Sequence, residues 1–350
     1  MNAKINLIIG LPVEVVEDRR EAQAVLRKLR AWAVGDHQFK VNNQPLGLTI
    51  QQIKAIAQPV GAYFAWGAGL NGHWLLSPEA RSKPTAIADI GYNTVDLFGV
   101  DNGQVARRAT GGDTLGMHRV ADILIRHARS HYDVSLSLYE ADRLMRQYLA
   151  EGQAILYHTG GETNLGPVIE QALDDAFAAI SRFIRQHWEQ GTQFRHLLLT
   201  GGGAQALRER LLNQYPQAII LPNAVTANAE GMARFALRAG IFNEPADRSI
   251  ALDPGFGGFK VAEVRGEQVF VDVIPAVVGI GTTDLGYLTT GLRSRRANKP
   301  LTVRFDALSY LVGPNVHLYA RPAERLDFKR LSDGPELRAL FYAALWQVLQ

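Results

Sequence analysis

Two short segments of the chain combine an aspartate, a glycine two residues later and a β-hairpin. In one, Asp89 ends an apolar run and Gly91 follows in a tight turn; in the other, Asp253 and Gly255 repeat this arrangement. An aspartate in such a place can hold Mg²⁺ through its waters, because hard cations prefer carboxylates. The glycines let backbone N–H groups turn inward around phosphate oxygens. A plain β-turn explains either segment alone, but the repeat predicts a magnesium nucleotide site.

A lysine and three consecutive glycines extend this pattern. Lys260, in the second hairpin, can reach phosphate oxygens as a point charge. The run 197–207 leads from a buried strand through three glycines into a helix, which suits backbone contact with a flat base and ribose. The nucleotide contacts that we predict are Gly255, Phe256, Gly257, Gly258 and Lys260 in one hairpin, Gly91, Tyr92, Asn93 and Thr94 in the other, and Gly201, Gly202, Gly203 and Ala204 after the strand.

Other nucleotide-binding signatures are missing from the sequence. It has no Gly-x4-Gly-Lys-Ser/Thr run, which excludes a P-loop enzyme. In the run Gly255-x-Gly257-x-x-Lys260, a lysine takes the place of the third glycine that a dinucleotide-binding fold requires.

The chain has no cysteine, so disulfides, thiolate metal sites and iron–sulfur clusters are excluded as well.

Short apolar runs and amphipathic segments alternate along the chain, which indicates an α/β fold. Each run meets a Gly or Pro within two residues of its end, as buried strands commonly do. Both Asp-x-Gly segments continue into antiparallel ribbons with turns at 101–103 and 265–267. The predicted strands cover residues 5–9, 86–90, 196–200 and 250–252, and the predicted helices cover 115–128, 164–190 and 335–350.

The composition limits the size of the fold and the class of partner. A length of 350 residues fits about two domains, and 47% apolar with 20% charged residues is typical of a folded protein. A net charge of +3 is too small for nucleic-acid binding across the whole surface, so we expect no direct nucleic-acid partner. No run is long and apolar enough for a signal peptide or a transmembrane segment, which predicts a cytoplasmic protein.

Together these residues resemble the superfamily of actin, heat-shock chaperone ATPases and sugar kinases, and within it the plasmid-segregation proteins of the ParM/StbA type. The resemblance implies an α/β, actin-like fold with two similar domains, each a mixed sheet flanked by helices, and a nucleotide cleft between them. Five family elements can be located. They are the first phosphate loop at 253–264, the first connecting segment at 6–17, the second phosphate loop at 89–100, the adenosine loop at 197–205 and the second connecting helix at 224–237.

The order of these elements departs from the family. Its first phosphate loop opens the chain, whereas here that loop comes last and the cyclic order is kept. The chain therefore looks like a circular permutant, a rearrangement tolerated where chain ends lie close together. The permuted order implies that domain I is split into a first part at 1–84 and a second part at 223–350, with domain II at 85–222 between them. The second part of domain I would contain the phosphate loop at 250–266 and an outer subdomain within about 274–315. Domain II would have its outer subdomain at about 111–158.

The resemblance also implies roles for single residues. Asp253 and Asp89 resemble the catalytic aspartates that hold Mg²⁺ through water, beside a bound ATP or GTP. Glu14 resembles the residue that orients the attacking water at the γ-phosphate, with Glu17 as the alternative carboxylate in that stretch. A helix first-turn carboxylate is the other interpretation of Glu14. Asp96 ranks lower as a second carboxylate.

The function implied is that of a nucleotide-dependent, filament-forming ATPase whose principal partner is itself. It would act in plasmid DNA segregation through a DNA-binding adaptor protein, or in a related cytoskeletal role. A small-molecule kinase of the same superfamily is an alternative, although no sugar-site segment is evident. A nucleotide-gated scaffold that forms no polymer is another, but no segment remains for a separate peptide-binding domain.

Two further clusters have simpler explanations. His127 and His131 stand four residues apart on a predicted helix, a spacing that can share a metal. No third ligand is evident near them, so a solvated pair is the favoured interpretation. The basic run at 293–299 could touch DNA, a membrane or a neighbouring subunit, but a solvated loop is favoured there too.

Overall fold

The computed structural model describes residues 3–238, 240–283, 299–323, 326 and 334–350. The basic run at 293–299 lies outside these residues except for Lys299, as does part of the predicted outer subdomain at 274–315. The chain divides into two compact units. Unit 1 comprises Met1–Leu11, Val15–Leu75 and Thr226–Gln350, and unit 2 comprises Pro12–Glu14 and Leu76–Val225.

The strands and helices alternate along the chain. The strands are β1 (Ala3–Leu11), β2 (Gly35–Val41), β3 (Gln44–Ala57), β4 (Thr85–Ile90), β5 (Val95–Asp101), β6 (Gln104–Val105), β7 (Gly111–Asp113), β8 (Ile155–His158), β9 (Gly161–Asn164), β10 (His196–Thr200), β11 (Ala218–Ile220), β12 (Arg248–Gly255), β13 (Gly258–Arg265), β14 (Gln268–Ile274), β15 (Val278–Ile280), β16 (Leu301–Phe305) and β17 (Leu308–Val312). The helices are α1 (Val13–Glu17), α2 (Arg19–Ala33), α3 (Gln58–Gly67), α4 (Pro78–Ser82), α5 (His118–Tyr132), α6 (Leu138–Glu151), α7 (Gly166–Trp188), α8 (Gly202–Ala206), α9 (Arg208–Gln214), α10 (Ala227–Ala236) and α11 (Pro335–Leu349).

In the described part of unit 1, nine strands form one sheet in the order β14-β13-β12-β1-β3-β2-β16-β17-β15. The strands β12, β13 and β14 are antiparallel neighbours, and β1 runs parallel to both β12 and β3. Helices cover both faces of β1, because Leu7 packs in one core with α11 and Ile8 packs in another with α10. Burial on two faces explains why β1 is apolar on both sides at Leu7, Ile8 and Ile9.

Unit 2 has a smaller sheet in the order β11-β10-β4-β5-β6, with β7 paired to β5. The strands β4 and β5 are antiparallel, and β10 runs parallel to both β4 and β11. Helices α5 and α7 contribute Leu124, Ile169 and Ile180 to a core that also contains Ala88 and Leu199. The long predicted helix at 164–190 is therefore confirmed as α7.

The two sheets share one arrangement but not one chain order. In unit 2 the antiparallel strands β4, β5 and β6 come first, and the parallel strands β10 and β11 follow. In unit 1 the matching antiparallel strands β12, β13 and β14 come after the parallel strands β1 and β3. Moving β12, β13 and β14 ahead of β1 and β3 would give these strands of unit 1 the same order along the chain as the matching strands of unit 2.

Both ends of unit 1 meet at one residue, Arg248. It lies beside Ile5 in the parallel register of β12 and β1. Its Nη2 atom donates to the carbonyl oxygen of Val348, near the end of α11, at 2.5 Å. A buried Glu263 pairs with Arg248 and Arg265 and holds this position. Arg248 therefore links β12, the neighbour of β1, to the end of α11.

None of the helices in the described ranges combines the length and the apolar character needed to cross a membrane.

Candidate functional site

A candidate site in unit 1 lies on the β12–β13 hairpin. Asp253 is 1% exposed and stands opposite Lys260 in the antiparallel register. Lys260 Nζ lies 3.0 Å from Asp253 Oδ2, which makes an ion pair. Apart from this ion pair, Asp253 Oδ2 is a buried oxygen that accepts no hydrogen bond from the described residues. It retains a lone pair for a further donor.

A glutamine from a distant strand end orients the same carboxylate. Gln58 begins α3 directly after β3 and is 7% exposed. Its Nε2 atom donates to Asp253 Oδ1 at 2.7 Å and to the carbonyl oxygen of Pro254 at 3.1 Å. One amide therefore holds both the aspartate and the start of the hairpin turn. Sequence analysis missed Gln58, because no local motif marks it.

Two glycines allow close packing in this hairpin, and one of them makes room for Lys260. A Cβ atom at Gly255 would lie 2.9 Å from Lys260 Nζ, and one at Gly258 would lie 2.8 Å from the side chain of Val273. A side chain at Gly255 would thus displace the ammonium group. Phe256, in the turn between them, is partly exposed at 37%. The turn residues predicted to contact phosphate, including Gly257, are at the exposed tip of the hairpin.

A candidate site in unit 2 lies on the β4–β5 hairpin. Asp89 and Asp96 stand opposite each other in the register, and they are 7% and 1% exposed. Asp96 Oδ2 accepts from Thr94 Oγ1 at 2.8 Å, and Asp96 Oδ1 accepts from the N–H of Val13 at 2.7 Å. Burial, and next the nearby charge of Asp89, raise the pKa of Asp96 to about 7. The site therefore contains a carboxyl group that keeps a proton close to neutral pH.

The turn between these strands presents unused N–H groups. The carbonyl oxygens of Gly91, Tyr92 and Asn93 accept from the N–H groups of residues 117, 118 and 116 at the start of α5. Within the described residues, the N–H groups of Tyr92, Asn93 and Thr94 have no acceptor. With their carbonyls fixed to one side, three consecutive amides remain for an anion, the arrangement expected of a phosphate-binding turn.

Two of the three glycines after β10, Gly201 and Gly203, pack against the end of β4. Gly201 has a φ of +88°, and a Cβ atom there would lie 2.3 Å from the carbonyl oxygen of Ile90 and 2.5 Å from Asp89 Oδ1. A Cβ atom at Gly203 would lie 2.4 Å from the side chain of Ile90. Gly202 has open space on this side, with nothing within 4 Å. Ala204 is fully buried in the core beneath them.

Glu14 lies close to Asp96 in unit 2. It is exposed, follows Val13 in α1 and contributes to the raised pKa of Asp96. A Cβ atom at Gly112 would lie 3.1 Å from both Asp96 Oδ1 and the backbone nitrogen of Glu14, so the glycine allows this close packing. Glu17 is also exposed and is assigned to unit 1. The water-orienting role of Glu14 stays a prediction.

The histidine pair predicted to be solvated lies on α5. The rings of His127 and His131 are stacked, with centroids 4.1 Å apart. Burial, followed by the charge of His131, lowers the pKa of His127. Across the described ranges, no group of three or more His, Cys, Asp or Glu side chains has the geometry of a metal site. Asp253 and Asp89 were predicted to hold magnesium through water, and such a site does not require side chains grouped as direct ligands. Their metal role stays a prediction.

Known proteins similar to this chain share its fold class. The chain matches the family model for the C-terminal part of archaeal actin homologues that are MreB-like, over residues 87–213. These residues lie within unit 2. No curated protein matches the chain.

Two solved structures superpose on the model. The archaeal actin homolog Ta0583 does so with a TM-score of 0.51 at 16% identity, over 66% of this chain and 70% of that chain. The non-polymerisable quadruple mutant of pCBH ParM does so with a TM-score of 0.52 at 17% identity, over 65% of this chain and 66% of that chain. The actin-like α/β fold predicted from the sequence is thereby confirmed.

Proposed function

We propose that this protein is a magnesium-dependent, actin-type ATPase that assembles into filaments with copies of itself. The observation that carries the proposal is the matched position of Asp253 and Asp89. Each is a buried aspartate on the first strand of an antiparallel hairpin, in units whose sheets share one arrangement. Phosphoryl transfer to water depends on positioning and charge neutralisation more than on covalent chemistry. Buried carboxylates, a lysine and unused amides supply those effects.

In unit 1, Asp253 and Lys260 are the groups that we assign to the metal and the phosphate tail. Mg²⁺ takes oxygen ligands and keeps several waters. Asp253 Oδ2 is ion-paired with Lys260 but accepts no hydrogen bond from the described residues, so it can accept one from such a water. The bound ion would neutralise charge on the phosphate oxygens. Gln58 fixes the carboxylate through Oδ1, which leaves Oδ2 for this purpose. We assign Gln58 as a positioning residue.

In unit 2, we assign Asp89 as the second magnesium-water ligand and the turn 91–94 as the phosphate cradle. The unused N–H groups of Tyr92, Asn93 and Thr94 support the cradle. The nucleoside wall is assigned to Gly201, Gly202, Gly203 and Ala204, of which Gly202 has open space. Glu14 is assigned as the residue that orients the attacking water. Its exposure supports this, because a water-orienting carboxylate must reach solvent-borne substrate.

We further propose that the chain is a circular permutant of the actin fold. Three observations support this: the rotated strand order in unit 1, the contact of both chain ends with Arg248, and the match of a C-terminal family model to residues 87–213, in the middle of the chain. Joining the two ends by a short linker and opening the chain within 243–247 should therefore give a protein that folds. Failure of that variant to fold, with the linker alone tolerated, would contradict the proposal.

The biological role that we propose is plasmid DNA segregation through an adaptor protein, or a related cytoskeletal task in the cytoplasm. ATP and GTP are both candidate nucleotides. Two observations support this role. The five nucleotide-site elements resemble those of the plasmid-segregation proteins, and the chain has the fold of a ParM structure. The proposal of self-assembly has the same basis.

One experiment tests the activity and the assembly separately. Purified protein is incubated with Mg²⁺ and ATP, with Mg²⁺ and GTP, with Mg²⁺ alone, and with ATP and EDTA. Each sample is assayed for phosphate release and centrifuged at high speed. Phosphate release that needs both Mg²⁺ and ATP, with filaments in the pellet, is the expected result. Soluble protein that releases phosphate would remove the filament proposal and keep the ATPase. No turnover with either ATP or GTP would overturn the ATPase assignment.

A further inference from the structure

Helix α2 carries an arginine stripe that no part of the proposed ATPase site uses. Arg19, Arg20, Arg27 and Arg30 are all exposed and fall within an arc of about 100° when the helix is viewed along its axis. They span about 17 Å. The opposite side of the helix is buried through Leu29 and Ala33. The stripe therefore faces outward from unit 1 along the length of the helix.

Few negative charges offset this stripe. The acidic residues Glu17, Asp18 and Glu21 gather at the start of α2, where Asp18 caps the helix, and no Asp or Glu occurs from residue 22 to residue 35. Within the described part of the chain, Arg27 and Arg30 make no ion pair. Helix α2 contains five basic residues and one acidic residue, whereas the whole chain has a net charge of only +3.

A groove continues the stripe at the C-terminal end of α2. It has a volume of about 550 Å³ and is lined by the polar residues Arg30, Gln51, Gln52, Lys54 and Asn243 and by the apolar residues Ala31, Val34 and Ile53. Gln52 Oε1 accepts from the N–H of Asn243, so the side of the groove is held in place. Two cations and three amides supply donors for phosphate oxygens and both donors and acceptors for sugar or base edges.

We propose that the arginine stripe of α2 and this groove bind the phosphate backbone of duplex DNA. Arginine suits phosphate because its planar group donates two parallel hydrogen bonds. The stripe is long enough to face about five phosphate charges of one strand, at one charge per 3.4 Å of duplex axis. A membrane surface is disfavoured because the apolar side of α2 is already buried in the core and cannot insert into lipid. The inference does not depend on nucleotide hydrolysis.

The test is fluorescence anisotropy with a labelled 30-base-pair duplex of random sequence, from 50 to 200 mM salt, with and without Mg-ATP. The variant Arg20→Gln/Arg27→Gln/Arg30→Gln should bind at least about tenfold more weakly. Its slope of log affinity against log salt should be smaller by about 3, because each phosphate contact contributes about 0.9. The control is Arg119→Gln/Arg126→Gln/Arg129→Gln on α5, where Asp122 lies beside exposed arginines.

Unchanged binding by the α5 control, with loss in the α2 variant, would support the proposal. Equal loss in both variants, or no binding of the duplex at 50 mM salt, would overturn it. Binding to anionic phospholipid vesicles or to polyglutamate, but not to DNA, would also overturn it and identify a different partner. Circular dichroism melting checks that the triple variants fold. The single change Arg27→Gln, at a fully solvent-facing position, provides the same test with a slope change of about 1.

Discussion

Asp89 of β4 and Asp96 of β5 stand opposite each other, and both are buried. The corresponding pair in unit 1 is Asp253 and Lys260, which form an ion pair. In each hairpin the second residue comes seven positions after the first. In unit 1 a lysine therefore pairs with the buried aspartate, whereas in unit 2 a second carboxyl group stands at the corresponding position. Two buried carboxylates repel each other, so the pair in unit 2 favours a state in which one proton is retained.

This carboxyl pair makes stability depend on pH. The pKa of Asp96 is raised from 3.8 to about 7 in the folded protein, so the folded state binds more protons than the unfolded state between these values. Stability should therefore fall as pH rises from about 4 to about 7 and change little from this source above that, by at most about 4 kcal/mol. Asp96→Asn, measured by urea unfolding in EDTA without nucleotide, should lose this dependence.

The matched control for that experiment is Asp101→Asn, at an exposed position on the same strand. It should retain the pH dependence of the unmodified protein. If Asp96→Asn and the unmodified protein lose stability in parallel between pH 4 and pH 7, the raised pKa of Asp96 is not the cause.

The two assigned magnesium aspartates should each be needed for turnover. Asp253→Asn and Asp89→Asn keep the side-chain volume but remove the charge that attracts hydrated Mg²⁺. We expect phosphate release to fall by about 10²-fold or more in each variant. The assay is steady-state release across a magnesium titration, with Asp101→Asn as a control that should retain activity. Normal turnover in both variants would remove the assignment.

Gln58 should affect the metal through Asp253. Gln58→Leu removes the donors to Asp253 Oδ1 and Pro254, and a buried carboxylate oxygen without a donor costs about 1–3 kcal/mol. We expect lower stability and a higher magnesium concentration at half-maximal turnover. A purely structural role would lower stability without moving the magnesium dependence. An unchanged magnesium titration would therefore contradict the positioning role.

Adjacent glycines after β10 should respond differently to the same change. Gly201→Ala forces a Cβ into a positive φ and against Ile90 and Asp89, so it should destabilise the protein by about 1–3 kcal/mol and weaken nucleotide binding. Gly202→Ala has open space, so stability should change by less than about 1 kcal/mol. Thermal melting and nucleotide titration compare the two. Similar losses of stability in both variants would show that strain at Gly201 is not decisive.

The sequence predicted the parts of the fold that local patterns encode. The strands at 5–9, 86–90, 196–200 and 250–252 lie within β1, β4, β10 and β12, because buried strands are apolar runs that Gly or Pro closes. The site role of Gln58 could not be predicted, since it lies 195 residues from Asp253 and reaches it only because β1 pairs with both β3 and β12. Strand neighbours of this kind are set by the whole sheet. The arginine stripe of α2 could not be predicted from the overall charge, because the net charge of the chain is only +3.

The residue that orients the attacking water is the least constrained part of the assignment, and two nearby carboxylates allow a direct comparison. Glu14→Gln should leave nucleotide affinity within about twofold and slow hydrolysis by about 10²-fold, because it removes a positioning group that acts in the transition state. Glu17→Gln is the control, since Glu17 is equally exposed but is assigned to the other unit. Single-turnover hydrolysis separates the chemical step from binding. A slow Glu17→Gln beside a normal Glu14→Gln would transfer the role to Glu17, and equal loss of affinity and turnover in Glu14→Gln would assign Glu14 a structural role as a first-turn helix carboxylate.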